Sequence, residues 1–210
     1  MPVGQTSQTA TNLCPGDYQA IVTDANGCTV TTACVTLTDP PILNVTASTN
    51  NETCFGACDG DATASPIGGT TPYTYEWMDC ATMTPIGQTG ITATGLCTGD
   101  YYVVVTDAAG CQDSSACESV VSPAPLSEAI SGTDITCNGA CDGTATTNPA
   151  GGVSPYTYNW LDCATGLPIG QTTQTAINLC PGDYQAEITD ANGCILMSAC
   201  QTITEPAPLA

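Results

Sequence analysis

The sequence contains no lysine, arginine or histidine, although it has 20 acidic residues and a formal net charge of −20. Phosphate clamps, nucleic-acid grooves and patches for anionic lipids need cationic side chains, so this absence excludes those binding functions. Each carboxylate must contact water, accept hydrogen bonds or bind a metal ion, and salt must screen the mutual repulsion. These properties indicate a surface protein in a saline medium.

Long apolar runs are also missing. No stretch approaches the roughly 20 residues that a membrane helix needs, and no positively charged segment followed by an apolar one opens the chain. We therefore expect no direct membrane insertion of this segment, and we expect the chain to be part of a longer secreted protein. Aromatic residues make up only 5% of the sequence, which limits the hydrophobic core that a small module can build.

Cysteine, in contrast, is abundant, with 15 residues. Without histidine, this content predicts an oxidising, extracellular compartment and a disulfide framework instead of zinc sites. The cysteines recur at a constant 83-residue interval, as in the pairs Cys54 and Cys137, Cys58 and Cys141, Cys80 and Cys163, Cys97 and Cys180, Cys111 and Cys194, and Cys117 and Cys200. Cys14, Cys28 and Cys34 precede Cys97, Cys111 and Cys117 by the same interval.

This interval predicts three segments. Residues 1–40 are expected to be the C-terminal half of a truncated repeat, and residues 41–123 and 124–210 two complete repeats. Proline-rich joints recur in register at residues 39–41, 122–125 and 205–208. Because proline fixes φ and stiffens a connection, the pattern predicts a string of modules and not one globule.

Each repeat has the pattern of an all-β module. Runs rich in Thr, Val, Ile and Tyr are interrupted by Gly, Pro and Asn-Gly turns at short and regular intervals, which is typical of a sandwich or barrel. We expect strands near residues 42–48 and 60–65, with counterparts near 126–132 and 143–148. The sequences at residues 13–18 and 179–184 resemble the tyrosine corner of immunoglobulin-like sandwiches, in which the tyrosine hydroxyl bonds to the backbone just upstream.

Alternation along the strands separates a core face from a solvent face. In residues 155–160, Tyr156, Tyr158 and Trp160 share one face of an extended strand. The predicted core aromatics are Tyr73, Tyr75, Trp77, Tyr101, Tyr156, Tyr158, Trp160 and Tyr184.

Six cysteines in a repeat allow 15 pairings, and the spacing alone leaves the alternatives open. The favoured set pairs Cys54 with Cys111, Cys58 with Cys117, Cys80 with Cys97, Cys137 with Cys194, Cys141 with Cys200, and Cys163 with Cys180. A bridge between modules would overturn this set.

Several motifs in the second complete repeat together resemble the SprB-type repeat. They are Thr136-Cys137-Asn138-Gly139, Asp142-Gly143-Thr144-Ala145-Thr146, Gly151-Gly152, the strand 155–160, the segment 178–184 and the turn 188–194. The likeness extends to the other complete repeat and to the partial one. SprB-type repeats occur in very large cell-surface adhesins of gliding Bacteroidetes.

The resemblance implies an outer-membrane-attached filament of immunoglobulin-like repeats, exported by the type IX system and used in adhesion and gliding motility. Its partners would be further repeats of the same protein or neighbouring filaments. In the family, a cysteine pair commonly matches Cys137 and Cys194.

Other functions remain as alternatives. The repeats could themselves bind surface polysaccharide through aromatic residues, or the chain could be a strand-complemented polymer subunit. Asp59, Asp61 and the turns at Asp24 and Asp190 carry oxygen ligands that Ca²⁺ accepts, but turn chemistry also explains them. We expect no cofactor and no catalytic site, since the recurring aspartates occupy turn positions.

Overall fold

The computed structural model describes residues 4–209, so the outer ends of the predicted segments 1–40 and 124–210 lie outside the described residues. In that range the chain is all-β, without helix, and every strand pairing is antiparallel. The strands fall into three groups along the chain.

The first group consists of β1 (Gly16–Tyr18), β2 (Ile21–Thr23), β3 (Thr29–Thr31) and β4 (Val35–Leu37). The second consists of β5 (Asn44–Asn50), β6 (Gly60–Ile67), β7 (Thr74–Asp79), β8 (Thr84–Pro85), β9 (Thr92–Leu96), β10 (Gly99–Thr106), β11 (Gln112–Ser114) and β12 (Glu118–Val120). The third consists of β13 (Ser127–Thr133), β14 (Gly143–Ala150), β15 (Thr157–Asp162), β16 (Thr175–Leu179), β17 (Gly182–Thr189), β18 (Ile195–Met197) and β19 (Gln201–Ile203).

The second and third groups each form two facing sheets. In the second group one sheet has the order β5-β6-β9, and the other has the order β11-β10-β7-β8, with β12 also pairing with β10. The third group repeats this arrangement in β13-β14-β16 and β15-β17-β18, with β19 beside β17, but an isolated bridge between Leu161 and Pro168 takes the place of the strand equivalent to β8. In the second group, β5, β6 and β9 correspond to strands A, B and E of an immunoglobulin-like sandwich, and β7, β8 and β10 correspond to strands C, C′ and F. Strand G is split into β11 and β12, and the overall topology is that of an immunoglobulin-like sandwich. The predicted fold class is confirmed.

Each sandwich encloses one core between its sheets. Trp77 is fully buried among Ala62, Ala93, Val103 and Val105, which come from both sheets. Its indole Nε1 donates a hydrogen bond to a backbone carbonyl oxygen at 3.0 Å. Alanines on one sheet leave room for the large indole of the other, so each small module can still bury a tryptophan.

The other predicted core aromatics lie around these tryptophans. Trp160 is fully buried, and Tyr101 and Tyr184 are also buried. Four tyrosines are partly buried and pack against the cores, namely Tyr73, Tyr75, Tyr156 and Tyr158.

The tyrosine corner is present in both sandwiches. The Tyr101 hydroxyl donates to the Cys97 carbonyl at 3.1 Å, and Tyr184 donates to Cys180 at 3.0 Å. A Cβ on Gly99 would lie 3.1 Å from the Tyr101 hydroxyl oxygen. Because glycine has no side chain, it leaves the space beside the backbone that the tyrosine ring occupies.

The first group makes two separate ribbons, β1 with β4 and β2 with β3. Val22 is 56% exposed, whereas its counterparts Val105 and Ile188 are fully buried. Residues 4–15 form no strand in the structure, so this part supplies no facing sheet for β2.

One disulfide in each sandwich follows from the pairing of strands B and E. Cys58 bonds to Cys97, with a Cα–Cα distance of 3.8 Å. Gly60 pairs with Leu96 across β6 and β9, and this register brings the two neighbouring cysteines together. The counterpart bond in the third group joins Cys141 and Cys180.

A second disulfide crosses over strand F. Cys80 bonds to Cys117 at a Cα–Cα distance of 6.3 Å. Asp79 and Glu118 both pair with Tyr101, from opposite sides of β10, so the cysteines next to them flank the same strand. The counterpart bond joins Cys163 and Cys200. Four predicted pairs are therefore wrong: Cys58 with Cys117, Cys80 with Cys97, Cys141 with Cys200, and Cys163 with Cys180.

Candidate functional site: the junction between the sandwiches

The two sandwiches are covalently joined to each other. Cys54, in the loop between β5 and β6, is bonded to Cys194, in the turn between β17 and β18. Their Cα atoms lie 5.7 Å apart although 140 residues separate them in the chain. The bond connects the A–B loop of one sandwich to the F–G turn of the next.

This bond corrects the remaining predicted pairs, Cys54 with Cys111 and Cys137 with Cys194. Cys54 precedes the start of β6, whereas Cys111 lies in a turn whose Ala108 donates to Thr70, beyond the other end of β6. A strand of this length spans roughly 25 Å, far more than the Cα separation that a disulfide allows. Residues at opposite ends of one sandwich cannot be bonded, but they can meet residues of adjacent sandwiches.

The turn that carries Cys194 is held by the carboxylate of Asp190. One oxygen accepts hydrogen bonds from the backbone amides of Asn192 and Cys194, both at 2.9 Å, and the other accepts from the Val153 amide at 2.9 Å. Only 5% of Asp190 is exposed. Burial raises the pKa of Asp190, but these amides outweigh it and leave the pKa below its usual value.

The loop that carries Cys54 is held by Asp59. The Thr53 amide donates to Asp59 Oδ1 at 2.9 Å, and the Thr53 hydroxyl donates to the other oxygen. The hydroxyl and amide of Thr53 lower the pKa of Asp59. Each cysteine of the inter-sandwich bond thus lies in a loop that is held by hydrogen bonds to an aspartate carboxylate.

One hydrogen bond accompanies the disulfide at the junction. The side-chain amide of Asn192 donates to the Thr53 carbonyl at 2.7 Å. The sequence pattern of residues 190–193 predicts a hairpin turn but gives no sign that Asn192 contacts another module. Asn26 recurs at the same place in the first group, whereas Ala109 replaces it in the second.

A buried acid near the junction also escapes sequence analysis. Glu52 is only 4% exposed, and its Oε1 accepts from the Thr98 amide at 2.8 Å. Its other oxygen accepts from the Gly56 amide at 3.2 Å and from the Ser122 hydroxyl. Its counterpart is the apolar Ile135, so the repeat pattern does not mark this position as polar.

The carboxylates considered as calcium ligands are used in local hydrogen bonds. Asp59 holds Thr53 as described, and Asp61 accepts from the Asn50 amide group at 3.0 Å. Within residues 4–209, one compact group of three potential ligands is found, formed by Glu52, Cys58 and Cys97. Two of its members are joined in a disulfide, so they offer no thiolate.

The five remaining cysteines are free and exposed: Cys14, Cys28, Cys34, Cys111 and Cys137. Residues 4–209 also contain no helix with the length and apolar character of a membrane span.

The family model of the SprB repeat matches this chain twice. The matched residues are 46–82 and 129–165, which begin in strand A of each sandwich and end just after strand C. The resemblance inferred from the sequence is confirmed. The SprB repeat is a structural, non-enzymatic family associated with the cell surface, so the match supports an adhesin-type repeat domain. A comparison with curated proteins finds no match.

Solved structures similar to this chain include proteins with immunoglobulin domains. A Dscam structure concerned with isoform specificity is 16% identical to this chain and has a TM-score of 0.36. The matched region includes 90% of this chain and 54% of the Dscam chain. The amphioxus IgVJ-C2 molecule is 16% identical, with coverages of 76% and 96% and a TM-score of 0.30. This chain spans about half the length of the Dscam chain. Because both TM-scores are below 0.5, the fold assignment rests on the strand topology.

Proposed function

We propose that this chain is a structural segment of a secreted cell-surface filament or stalk, which extends an adhesive part away from the cell. The bond between Cys54 and Cys194 carries the proposal, because it joins the A–B end of one sandwich to the F–G end of the next. Repeats connected through opposite ends extend along a line, and such a bond resists separation of the modules under load.

The composition supports the same role. Without lysine or arginine the chain has no cleavage site for trypsin-like proteases, and two disulfides inside each sandwich stabilise a small core. The likeness to the SprB repeat supports a place in adhesion and gliding motility, with export by the type IX system. The partners would be further repeats of the same protein or neighbouring filaments.

Immunogold electron microscopy of native cells, with antibodies raised against residues 41–209, tests the proposal. We expect gold particles along thin fibres that project from the cell surface. Label confined to the cell interior, or spread over the envelope without fibres, would contradict it. A glycan array probed with the purified chain addresses recognition separately, since reproducible binding to one glycan class would make the repeats themselves the adhesive part.

A further inference from the structure

Two of the free cysteines are the repeat equivalents of the two cysteines that form the junction bond. Cys111 precedes Cys194 by the 83-residue interval, and Cys137 follows Cys54 by the same interval. Both are exposed and unbonded. The residues that join the two sandwiches therefore recur, unused, at the outer end of each sandwich.

Cys111 is presented by the same turn as Cys194. The Cys111 amide donates to Asp107 Oδ1 at 2.8 Å, as the Cys194 amide donates to Asp190 Oδ1 at 2.9 Å. Asp107 is 5% exposed, like Asp190. The outer turn of the second group is thus built in the same way as the turn that already carries an inter-sandwich bond.

Cys137 is likewise presented by the same loop as Cys54. The Thr136 amide donates to Asp142 Oδ1 at 2.9 Å, which repeats the contact between Thr53 and Asp59. A groove of about 400 Å³ lies beside Cys137, between residues 136–138 and the proline-rich segment 206–209. At the equivalent edge of the sandwich formed by the second group, Thr53 and Cys54 bind the turn 190–194 through a hydrogen bond and the disulfide.

We propose that Cys137 and Cys111 are the two open halves of the same inter-repeat bridge. Cys137 bonds to the F–G turn cysteine of an adjoining repeat on its C-terminal side, and Cys111 bonds to the A–B loop cysteine of an adjoining repeat on its N-terminal side. Cys28, at the same position as Cys111 in the first group, takes part in the same way. The inference rests on the proposed array, and it makes every junction covalent.

Bond formation requires an oxidant, which we specify as a small disulfide such as oxidised glutathione. One cysteine thiolate attacks the small disulfide, forms a mixed disulfide and releases one thiolate. The second cysteine then attacks its partner's sulfur and releases the other thiolate. Two protons and two electrons leave the cysteine pair, and one small disulfide becomes two thiols.

An extended chain tests the inference directly. Residues 1–210 are followed by a second copy of residues 128–210, which preserves the 83-residue interval. The appended copy carries Ile195→Val, so that its turn-cysteine peptide has a distinct mass, and Cys137→Ser, so that the original Cys137 alone is followed. After refolding with oxidised and reduced glutathione, free thiols are alkylated and the disulfide peptides are mapped by mass spectrometry. We expect Cys137 to be bonded to the appended turn cysteine and to be protected from alkylation as fully as Cys54.

The unextended chain and an extended chain with Cys194→Ser in the appended copy are the controls, and in both Cys137 should be alkylated. The proposal is overturned if Cys137 of the extended chain stays alkylatable, or forms intermolecular dimers, while Cys54 and Cys194 are bonded. The reciprocal chain, in which a copy of residues 41–123 carrying Cys111→Ser replaces residues 1–40, should protect the original Cys111 in the same way. These measurements use purified protein, so failure of the bridge is distinguishable from failure of the surface-filament function.

Discussion

Glu52 and Glu205 accept hydrogen bonds from equivalent backbone amides, although the two glutamates lie at non-equivalent positions in their sandwiches. Glu52 accepts from Gly56 at 3.2 Å, and Glu205 accepts from Gly139, the counterpart of Gly56, at 2.8 Å. Glu52 also satisfies the amide of Thr98. The counterpart of Thr98 is Pro181, which has no amide hydrogen and needs no such acceptor.

This relationship predicts the effect of exchanging the two arrangements. Glu52→Ile removes the acceptor of the Thr98 amide and one of the two acceptors of the Gly56 amide, the other being the Ser122 hydroxyl at 3.2 Å. A donor that becomes both desolvated and unsatisfied costs about 1–3 kcal/mol. Adding Thr98→Pro and Ser122→Glu to that variant reproduces the set found in the third group and should recover most of the loss. Urea unfolding followed by fluorescence of a Trp160→Phe background, in which only Trp77 reports, measures the change. A triple variant no more stable than Glu52→Ile would contradict the compensation.

The junction bond should control orientation more than core stability. In the variant Cys54→Ser/Cys194→Ser each sandwich keeps its own core and its own two disulfides. We expect unchanged tryptophan fluorescence but a broader distribution of interatomic distances in small-angle X-ray scattering. The matched variant Cys58→Ser/Cys97→Ser should behave oppositely, losing about 2–4 kcal/mol in one sandwich without reorientation. Identical scattering from the wild type and the first variant would argue against the restraint.

Acid should destabilise both sandwiches through Asp107 and Asp190. The Thr70 amide is the main cause of the lowered pKa of Asp107, and backbone amides outweigh burial at Asp190. A pKa lowered by folding adds stability that is present above the unfolded value of about 3.9 and is lost as the pH falls through the folded pKa. Melting temperatures measured from pH 6 to pH 2 should therefore fall below about pH 4.

Substitution of these aspartates provides the control for acid. Asp107→Asn/Asp190→Asn should be less stable at neutral pH, because an amide offers one acceptor oxygen in place of two, and its melting temperature should depend less on pH. Asp39 is exposed, so Asp39→Asn should retain the wild-type profile. If the melting temperatures of the wild type and both variants depended equally on pH, the acid destabilisation could not be assigned to Asp107 and Asp190.

A buried hydroxyl offers a stabilising substitution. Thr147 is fully buried, and its Oγ1 has no hydrogen-bond partner. The counterpart residue is Ala64, so the position does not require a polar group. Thr147→Val keeps the volume and removes the unsatisfied oxygen, which should raise the free energy of unfolding by about 1 kcal/mol. Thr146→Val is the control, since the Thr146 hydroxyl is paired with Thr175 at 3.0 Å and its loss should not stabilise.

Calcium removal should have little effect on stability. Both oxygens of Asp59 accept hydrogen bonds from Thr53, and both oxygens of Asp142 accept from Thr136. Differential scanning calorimetry in EDTA and in calcium chloride, at matched ionic strength, should give the same melting temperature. A higher melting temperature in calcium alone, absent with magnesium, would instead indicate a specific site.

Local sequence is sufficient to predict the local structure of each module. Alternation identified the strand that contains Trp160, and the sequence of residues 179–184 predicted that the Tyr184 hydroxyl bonds to the backbone just upstream, where it donates to Cys180. Both features depend on residues close together in the chain. The 83-residue interval likewise related Gly60 to Gly143, and each of them begins strand B of its sandwich.

The pairing of the cysteines, and the backbone amides from which Glu52 and Glu205 accept hydrogen bonds, depend on the tertiary structure. Cys58 meets Cys97 through strand register, and Cys54 meets Cys194 through the stacking of two sandwiches. Spacing along the chain carries no information about which loops share one end of a sandwich. The strands place Cys54 and Cys111 at opposite ends of their sandwich, and this separation directs each cysteine toward a neighbouring module.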